Sequence, residues 1–146
     1  TIVECDPHPF NKKGRIEAEI VGGNLSILYS LLGSDSDIDT DGKILFMEDL
    51  DEYLYHIDRM IMNLKRNGKF ENLKALIIGG MNDMNDNDIP FGKTAEQIIL
   101  EHTKKYNFPI CFGFPAGHIN DNSAIVFGVK SLLEISAKKV RLTYPY

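Results

Sequence analysis

Residues 37–48 constrain the fold more than any other stretch, because two different structures compete for them. Their acidic side chains are spaced as in the calcium-binding loop of an EF-hand, at Asp37, Asp39, Asp41 and Glu48. The alternative divides the stretch into an acidic turn that ends at Gly42 and a buried strand over residues 43–47. In that case the strand delivers Glu48 to an edge of a sheet.

The strand interpretation is favoured by the apolar run that begins at Ile44 and ends at Met47. In a calcium loop, Leu45, Phe46 and Met47 would occupy positions that need water-tolerant residues and often a water-mediated ligand. A short continuous apolar run is instead typical of a strand that is buried on both faces. EF-hands also usually occur in pairs, and the sequence contains no second loop of this kind.

The middle of the chain alternates strands and helices, whereas its end consists of strands. Apolar patterns predict strands over residues 1–5, 16–21, 43–47, 73–78, 109–114, 125–127, 132–136 and 140–144. Helices are predicted over residues 25–32, 52–67 and, after a capping box formed by Thr94 and Gln97, around residues 98–106. The fold class predicted from this order is an α/β layered domain with a mixed sheet.

Size, charge and cysteine content exclude several classes of protein. A chain of 146 residues is predicted to form a single domain, residues 1–146. The net charge of −5 without a basic patch argues against nucleic acid as a partner. No apolar run approaches the roughly 20 residues that span a bilayer, so no membrane partner is expected. Cys5 and Cys111 are too few for a disulfide framework, and Cys5 with His8 makes only a weak metal motif.

The candidate catalytic residues are Glu48 and His118, each of which follows an apolar strand at its carboxyl end. Ligands of sheets with strand–helix connections gather at those ends, and parallel strands would bring both residues to one edge. A carboxylate beside an imidazole fixes its tautomer and stabilises the imidazolium formed during proton transfer. A structural role for the histidine, or orientation of His118 by Asp121, remains open at this level.

A pair of this kind needs a nucleophile, and the sequence does not offer an obvious one. It contains no Gly-x-Ser-x-Gly elbow, and Ser26, Ser30, Ser34 and Ser36 lie in a predicted helix or an acidic turn. The Gly22-Gly23 turn before the first helix could hold an anion, although a tight strand-to-helix turn is the default interpretation. Taken alone, the chain has part of an active site.

Several segments together resemble the C-terminal domain of the LD-carboxypeptidases. They are Gly22-Gly23-Asn24-Leu25-Ser26, residues 39–51 (DTDGKILFMEDLD), the helix over residues 55–64, residues 77–80, and Gly113-Phe114-Pro115-Ala116-Gly117-His118. The similarity runs over nearly the whole chain and preserves the order of the motifs. The calcium-like pattern lies inside it. The family contains serine peptidases, among them muramoyltetrapeptide carboxypeptidases and microcin C self-immunity peptidases.

The resemblance implies a function and a set of partners. Family members have an N-terminal domain with the nucleophilic serine and the oxyanion hole, and a C-terminal domain of a swivelling β/β/α type. That second domain supplies the glutamate and histidine of a Ser–Glu–His triad, which match Glu48 and His118 here. Members release the terminal D-alanine of a murein tetrapeptide in cytoplasmic cell-wall recycling, need no metal or other cofactor, and are commonly homodimers.

The serine-bearing domain is not part of this sequence, so the chain alone is expected to be inactive. Without that domain, Glu48 and His118 could also be exposed to solvent and mispositioned. Two other functions remain as alternatives, namely a calcium-binding module built on residues 37–48 and a non-catalytic peptide-binding or dimerisation domain. Within the family, a murein peptide and a microcin-like aminoacyl nucleotide are both candidate substrates.

Overall fold

The computed structural model describes residues 1–145. Their strands are β1 (Ile2–Cys5), β2 (Gly14–Asn24), β3 (Ile44–Leu50), β4 (Ala75–Asn82), β5 (Ile110–Cys111), β6 (Lys130–Ile135) and β7 (Val140–Thr143). The helices are α1 (Leu25–Leu31), α2 (Leu54–Arg66) and α3 (Ala95–Thr103). The predicted α/β class with a mixed sheet is therefore confirmed. No helix in this part of the chain is long and apolar enough to cross a membrane.

Strand β2 joins the two halves of the sheet. The strand order is β1-β7-β6-β2-β3-β4-β5, with parallel pairing from β2 to β5 and antiparallel pairing among β2, β6, β7 and β1. The first half of β2 pairs with β6, and its second half, from Ile20 to Asn24, pairs with β3. The parallel half thus aligns the carboxyl ends of its strands at one edge.

Strands β3 and β4 are buried on both faces because each lies between two apolar layers. Leu45 and Met47 of β3 point into a core that also contains buried side chains of α1, α2 and α3. Ile44 and Phe46 point the other way, into a core shared with β6 and β7. Since β6 and β7 do not neighbour β3 in the strand order, the sheet must fold over itself. The resulting layers are strands, strands and helices.

The predicted end of the second strand at residue 21 was wrong, because β2 continues through Gly22 and Gly23 to Asn24. Both glycines have positive φ angles, 136° and 152°. A Cβ added to Gly22 would lie 2.0 Å from the backbone oxygen of Phe46, whereas one added to Gly23 would meet nothing within 4 Å. Glycine at position 22 therefore permits close approach of β2 to β3 rather than a chain break.

The limits of other strands and helices also differ from those predicted. Strand β3 extends to Leu50, beyond the predicted limit at residue 47, and α2 begins at Leu54 rather than at residue 52. The regular part of the fifth strand is only Ile110–Cys111. Residues 125–127 were predicted as a strand, but they are irregular and Phe127 lies over the ring of Phe46 with centroids 6.2 Å apart.

Replacement of Gly22 by alanine is expected to lower the free energy of unfolding by about 2–4 kcal/mol, from a positive φ and a backbone clash with Phe46. Gly23→Ala is the matched control, because it has the φ strain but open space around the new methyl group. Urea unfolding of both variants measures the difference. Equal losses for the two variants would contradict the close approach at Gly22.

Candidate active site

The carboxyl edge of the parallel strands brings three polar segments together. Asn24 at the end of β2 pairs directly with Glu48 of β3. Beyond β5, the chain stays attached to β4, since the Phe114 amide donates to the Ile78 carbonyl at 3.0 Å and the Gly80 amide to the Ala116 carbonyl at 3.0 Å. These backbone bonds deliver the turn that carries His118 to the same edge.

Glu48 and His118 are joined by two hydrogen bonds. Glu48 Oε2 lies 2.8 Å from His118 Nδ1 and accepts the His118 backbone N–H at 3.1 Å. The glutamate is only 5% exposed, whereas the histidine side chain is 54% exposed. The expected exposure to solvent was therefore wrong for Glu48, whereas the His118 side chain is exposed.

The contact with Glu48 determines the protonation pattern of the His118 ring. A carboxylate can only accept, so Nδ1 carries a proton and donates it, which leaves Nε2 of the neutral ring as an acceptor. The hydrogen bond to Glu48 raises the pKa of His118, and the negative charges of Glu48 and Asp49 raise it further. Nδ1 is thus held by the hydrogen bond to Glu48, and Nε2 is the nitrogen that can accept a proton.

Asn24 is a second side-chain partner of Glu48, in addition to His118, and was not predicted from the sequence. Its Nδ2 donates to Glu48 Oε1 at 3.3 Å and to Asp49 Oδ1 at 3.0 Å, while its Oδ1 caps α1 by accepting from Ile27 N at 3.2 Å. Asn24 is thus the N-cap of α1 as well as a donor to Glu48. The signal for the second role was the position of Asn24 at the end of a strand parallel to that of Glu48.

Gly117 makes the approach of the histidine turn to Glu48 sterically feasible. Its φ is 110°, and an added Cβ would lie 2.8 Å from Glu48 Cβ, Cγ and Oε2. The turn is held further by Asn122 Oδ1, which accepts from Gly117 N at 2.9 Å, and by Asn82 Nδ2, which donates to the His118 carbonyl at 2.7 Å. A side chain at position 117 would displace either the carboxylate or the imidazole.

The first turn of α1 is occupied by carboxylate and amide side chains, which rules out the anion site considered at Gly22-Gly23. Asp49 Oδ2 accepts from Ser26 N at 2.9 Å and from Ser26 Oγ at 2.6 Å, and Asn24 Oδ1 takes the Ile27 amide. Ser26 Oγ also lies 3.0 Å from Glu52 Oε1. The hydroxyl of this serine is engaged by two carboxylates and forms no hydrogen bond to an imidazole that could act as a base.

The residues of the calcium-like pattern are not assembled into a site. Asp37 forms an ion pair with Lys69 at 2.9 Å, and Asp39 Oδ1 accepts the Asp41 amide at 2.9 Å. Because β3 is extended, Glu48 lies about 13 Å along the strand from Ile44. Within residues 1–145 no group of three or more His, Cys, Asp or Glu side chains is placed to hold a metal.

The remaining histidines have structural contacts. His56 Nδ1 lies 2.9 Å from Glu52 Oε2, and His102 Nε2 lies 2.7 Å from Asp58 Oδ1, which links α3 to α2. His8 Nδ1 accepts from Phe10 N at 3.1 Å. The contact that orients His118 comes from Glu48, not from the alternative carboxylate Asp121.

Glu48→Gln is expected to lower the pKa of His118 towards the ordinary histidine value of about 6.5, because the charged acceptor is lost. Asp121→Asn is the matched control and should leave that pKa unchanged. Titration of the imidazole by NMR measures both variants. An unchanged His118 pKa in Glu48→Gln would show that Glu48 does not act on the ring in solution.

Comparison with known proteins identifies the family. The model of the LD-carboxypeptidase C-terminal domain matches residues 17–133. The chain is 36% identical over 129 residues to a probable murein peptide carboxypeptidase of Bacillus subtilis (strain 168), covering 86% of this chain and 39% of that protein. It is 27% identical over 138 residues to the microcin C7 self-immunity protein MccF of Escherichia coli, covering 94% of this chain and 40% of that protein.

A solved structure has the same fold. The crystal structure of muramoyltetrapeptide carboxypeptidase from Oxalobacter formigenes matches with a TM-score of 0.88 and 28% identity, covering 100% of this chain and 51% of that one. The chain spans about two fifths of the length of the curated relatives named above. It belongs to the LD-carboxypeptidase family and has the fold of the family's C-terminal domain.

Proposed function

We propose that this chain supplies Glu48 and His118 to the Ser–Glu–His triad of a serine-type LD-carboxypeptidase. The nucleophilic serine and the oxyanion hole would come from an N-terminal domain. The observation that carries the proposal is the hydrogen bond of 2.8 Å between a buried carboxylate and an exposed imidazole. This arrangement supports a general base whose second nitrogen is available to a hydroxyl from outside the chain.

In the proposed reaction His118 Nε2 removes the proton of the serine hydroxyl as the serine attacks the amide carbonyl. The imidazolium then donates that proton to the nitrogen of the departing D-amino acid, and a water molecule hydrolyses the acyl-enzyme by the same route. Glu48 accepts the Nδ1–H hydrogen bond and stabilises the imidazolium. Asn24 and the His118 backbone N–H donate to the same carboxylate and hold it in position.

The surroundings of His118 support the proposal of a second domain. No serine hydroxyl hydrogen-bonds to it within the described chain, and Ser26 is engaged by Asp49. The curated relatives are longer by a segment large enough to form another domain. We therefore expect the chain alone to be inactive. The homodimer and the cytoplasmic location implied by the resemblance stay predictions.

The proposed substrate is a murein tetrapeptide, from which the enzyme would release terminal D-alanine. The name of the Bacillus subtilis relative, at 36% identity, favours a murein peptide over the microcin-type substrate suggested by the name of MccF, at 27%. A shallow hollow of about 190 Å³ beside the histidine turn, lined in part by Phe46, Ala116 and Phe127, offers an apolar surface for part of the substrate or for the other domain.

His118→Ala and Glu48→Gln are expected to lower kcat for D-alanine release by roughly a thousandfold or more, because each removes part of the proton-transfer pair. The assay uses this chain joined to a serine-bearing N-terminal domain of the family, with murein tetrapeptide as substrate. Asp121→Asn and the chain without that domain are the controls. Near-normal turnover in both active-site variants would refute the assigned roles.

Gly117→Ala is expected to lower kcat by about tenfold to a hundredfold, since the added methyl group would displace Glu48 from His118. Gly113→Ala in the same segment is the matched control. It also has a positive φ, 66°, but a Cβ added there would approach His8 Cδ2 no closer than 3.8 Å. The same assay measures both variants. Equal losses would mean that backbone strain, and not the contact with Glu48, limits the rate.

A further inference from the structure

A surface cavity of about 340 Å³ lies between the loop that joins β1 to β2 and the turn that joins β6 to β7. The loop contributes most of the residues that line the cavity, and residues 136 and 137 of the turn contribute the remainder. Lys13 of the loop immediately precedes β2, whereas Asn24, which contacts Glu48, is the last residue of that strand. The cavity is therefore at the other end of β2 from the proposed catalytic pair.

Asn11 lines this cavity with a side-chain amide that has a partner on only one of its two polar atoms. Its Oδ1 accepts the Phe112 backbone N–H at 2.7 Å, which fixes the orientation of the amide group. Its Nδ2 is buried and has no hydrogen-bond partner among the residues that the structure describes. Buried polar groups are normally hydrogen-bonded, so this donor beside a cavity points to an acceptor from outside the chain.

His8, which also lines the cavity, has a second donor without an acceptor. Its Nδ1 accepts the backbone N–H of Phe10 at 3.1 Å, so the proton of the neutral ring is on Nε2. The ring is held by the aromatic rings of Phe10 and Phe112, whose centroids lie 5.2 and 5.6 Å from its own. Within the described part of the chain, Nε2–H forms no hydrogen bond.

Lys13 adds a positive charge to the cavity. Its side chain is exposed and forms no ion pair with any residue from 1 to 145. None of the described residues that line the cavity is acidic. The hydroxyl of Ser136 is already engaged, since it donates to the Lys139 carbonyl at 2.8 Å and accepts two backbone amides of the same turn. On a chain with a net charge of −5, the cavity is thus a local concentration of donors and positive charge.

We propose that this cavity binds an anionic group with several oxygen atoms, either a phosphate or a carboxylate, through Asn11, His8 and Lys13. An anion of this kind only accepts hydrogen bonds, which is what the unpaired donors of Asn11 and His8 require. The ammonium group of Lys13 neutralises the charge of the bound group as a point charge on a flexible stem. The proposal does not depend on the peptidase activity.

The test titrates the 146-residue chain with sodium phosphate and follows its NMR spectra, with sodium chloride added to keep the ionic strength constant. We expect saturable shifts of the Asn11 side-chain amide and of the His8 ring, with a dissociation constant in the millimolar range. A second titration with acetate distinguishes the two chemistries. Tighter binding of phosphate identifies a phosphorylated ligand, and tighter binding of acetate identifies a carboxylate.

Two variants remove the proposed contacts. Asn11→Asp keeps the oxygen that accepts from Phe112 but replaces the unpaired donor with a carboxylate oxygen, so phosphate binding should be lost. Lys13→Met removes the charge and should weaken phosphate binding by about fivefold or more. Lys74→Met is the matched control, because this lysine is also exposed but does not line the cavity, and its variant should bind phosphate as the unmodified chain does.

The exposed position of Lys13 keeps the test decisive even if Asn11→Asp does not fold. The proposal is overturned if phosphate causes no shifts beyond those of sodium chloride, or if the shifts lie away from residues 7–13 and 136–137. Unchanged phosphate binding in Lys13→Met would overturn it as well. Equal weakening in Lys13→Met and Lys74→Met would do the same, because binding would then depend on net charge alone.

Discussion

Burial of β3 on both faces is the constraint on which the rest of the structure depends. Its apolar run must be covered by helices on one side and by the folded-over β6 and β7 on the other. Covering both faces requires the sheet to change from parallel to antiparallel pairing within β2, which is why that strand is long. The same arrangement forces close backbone contact between β2 and β3, where Gly22 is placed.

The apolar run ends in two acids, and their burial determines the chemistry of the edge. Glu48 and Asp49 are 5% and 2% exposed, so each must find hydrogen-bond donors within the protein. Because side chains alternate along a strand, they serve different neighbours, Asp49 the start of α1 and Glu48 the histidine turn. Asn24 donates to both carboxylates and couples the two arrangements.

Features that local patterns specify were predictable from the sequence, whereas features that depend on contacts between distant residues were missed. The apolar run of β3 and most of the apolar stripe of α2 were predictable because burial repeats with the period of the element. Ile57, Met60, Ile61 and Leu64 are buried, whereas Tyr53, predicted on the same stripe, is the exposed N-cap residue. Gly22 was taken as a strand end, since nothing local shows that the Phe46 carbonyl lies against it. Residues 125–127 have β-forming side chains but cover Phe46 instead of pairing.

The same distinction holds at the site. Glu48 and His118 could be selected because both follow apolar strands, and parallel strands end at one edge. The contact between them required the turn at Gly117, whose role depends on atoms of Glu48 far away in the sequence. The hydrogen bond from Asn24 to Glu48 was not predicted either, because the capping role alone accounts for an asparagine at that position.

The different exposure of Glu48 and His118 gives the strongest physical reason for a partner domain in the proposed enzyme. Glu48 is already fixed by the fold, whereas the His118 ring is 54% exposed and its charge is screened by water. Covering the ring would exclude that water and strengthen the attraction between the imidazolium and Glu48 when a proton arrives. A domain that brings a serine to Nε2 would therefore also make His118 a stronger base for that serine. Docking of the domain would then supply the nucleophile and activate the base in one step.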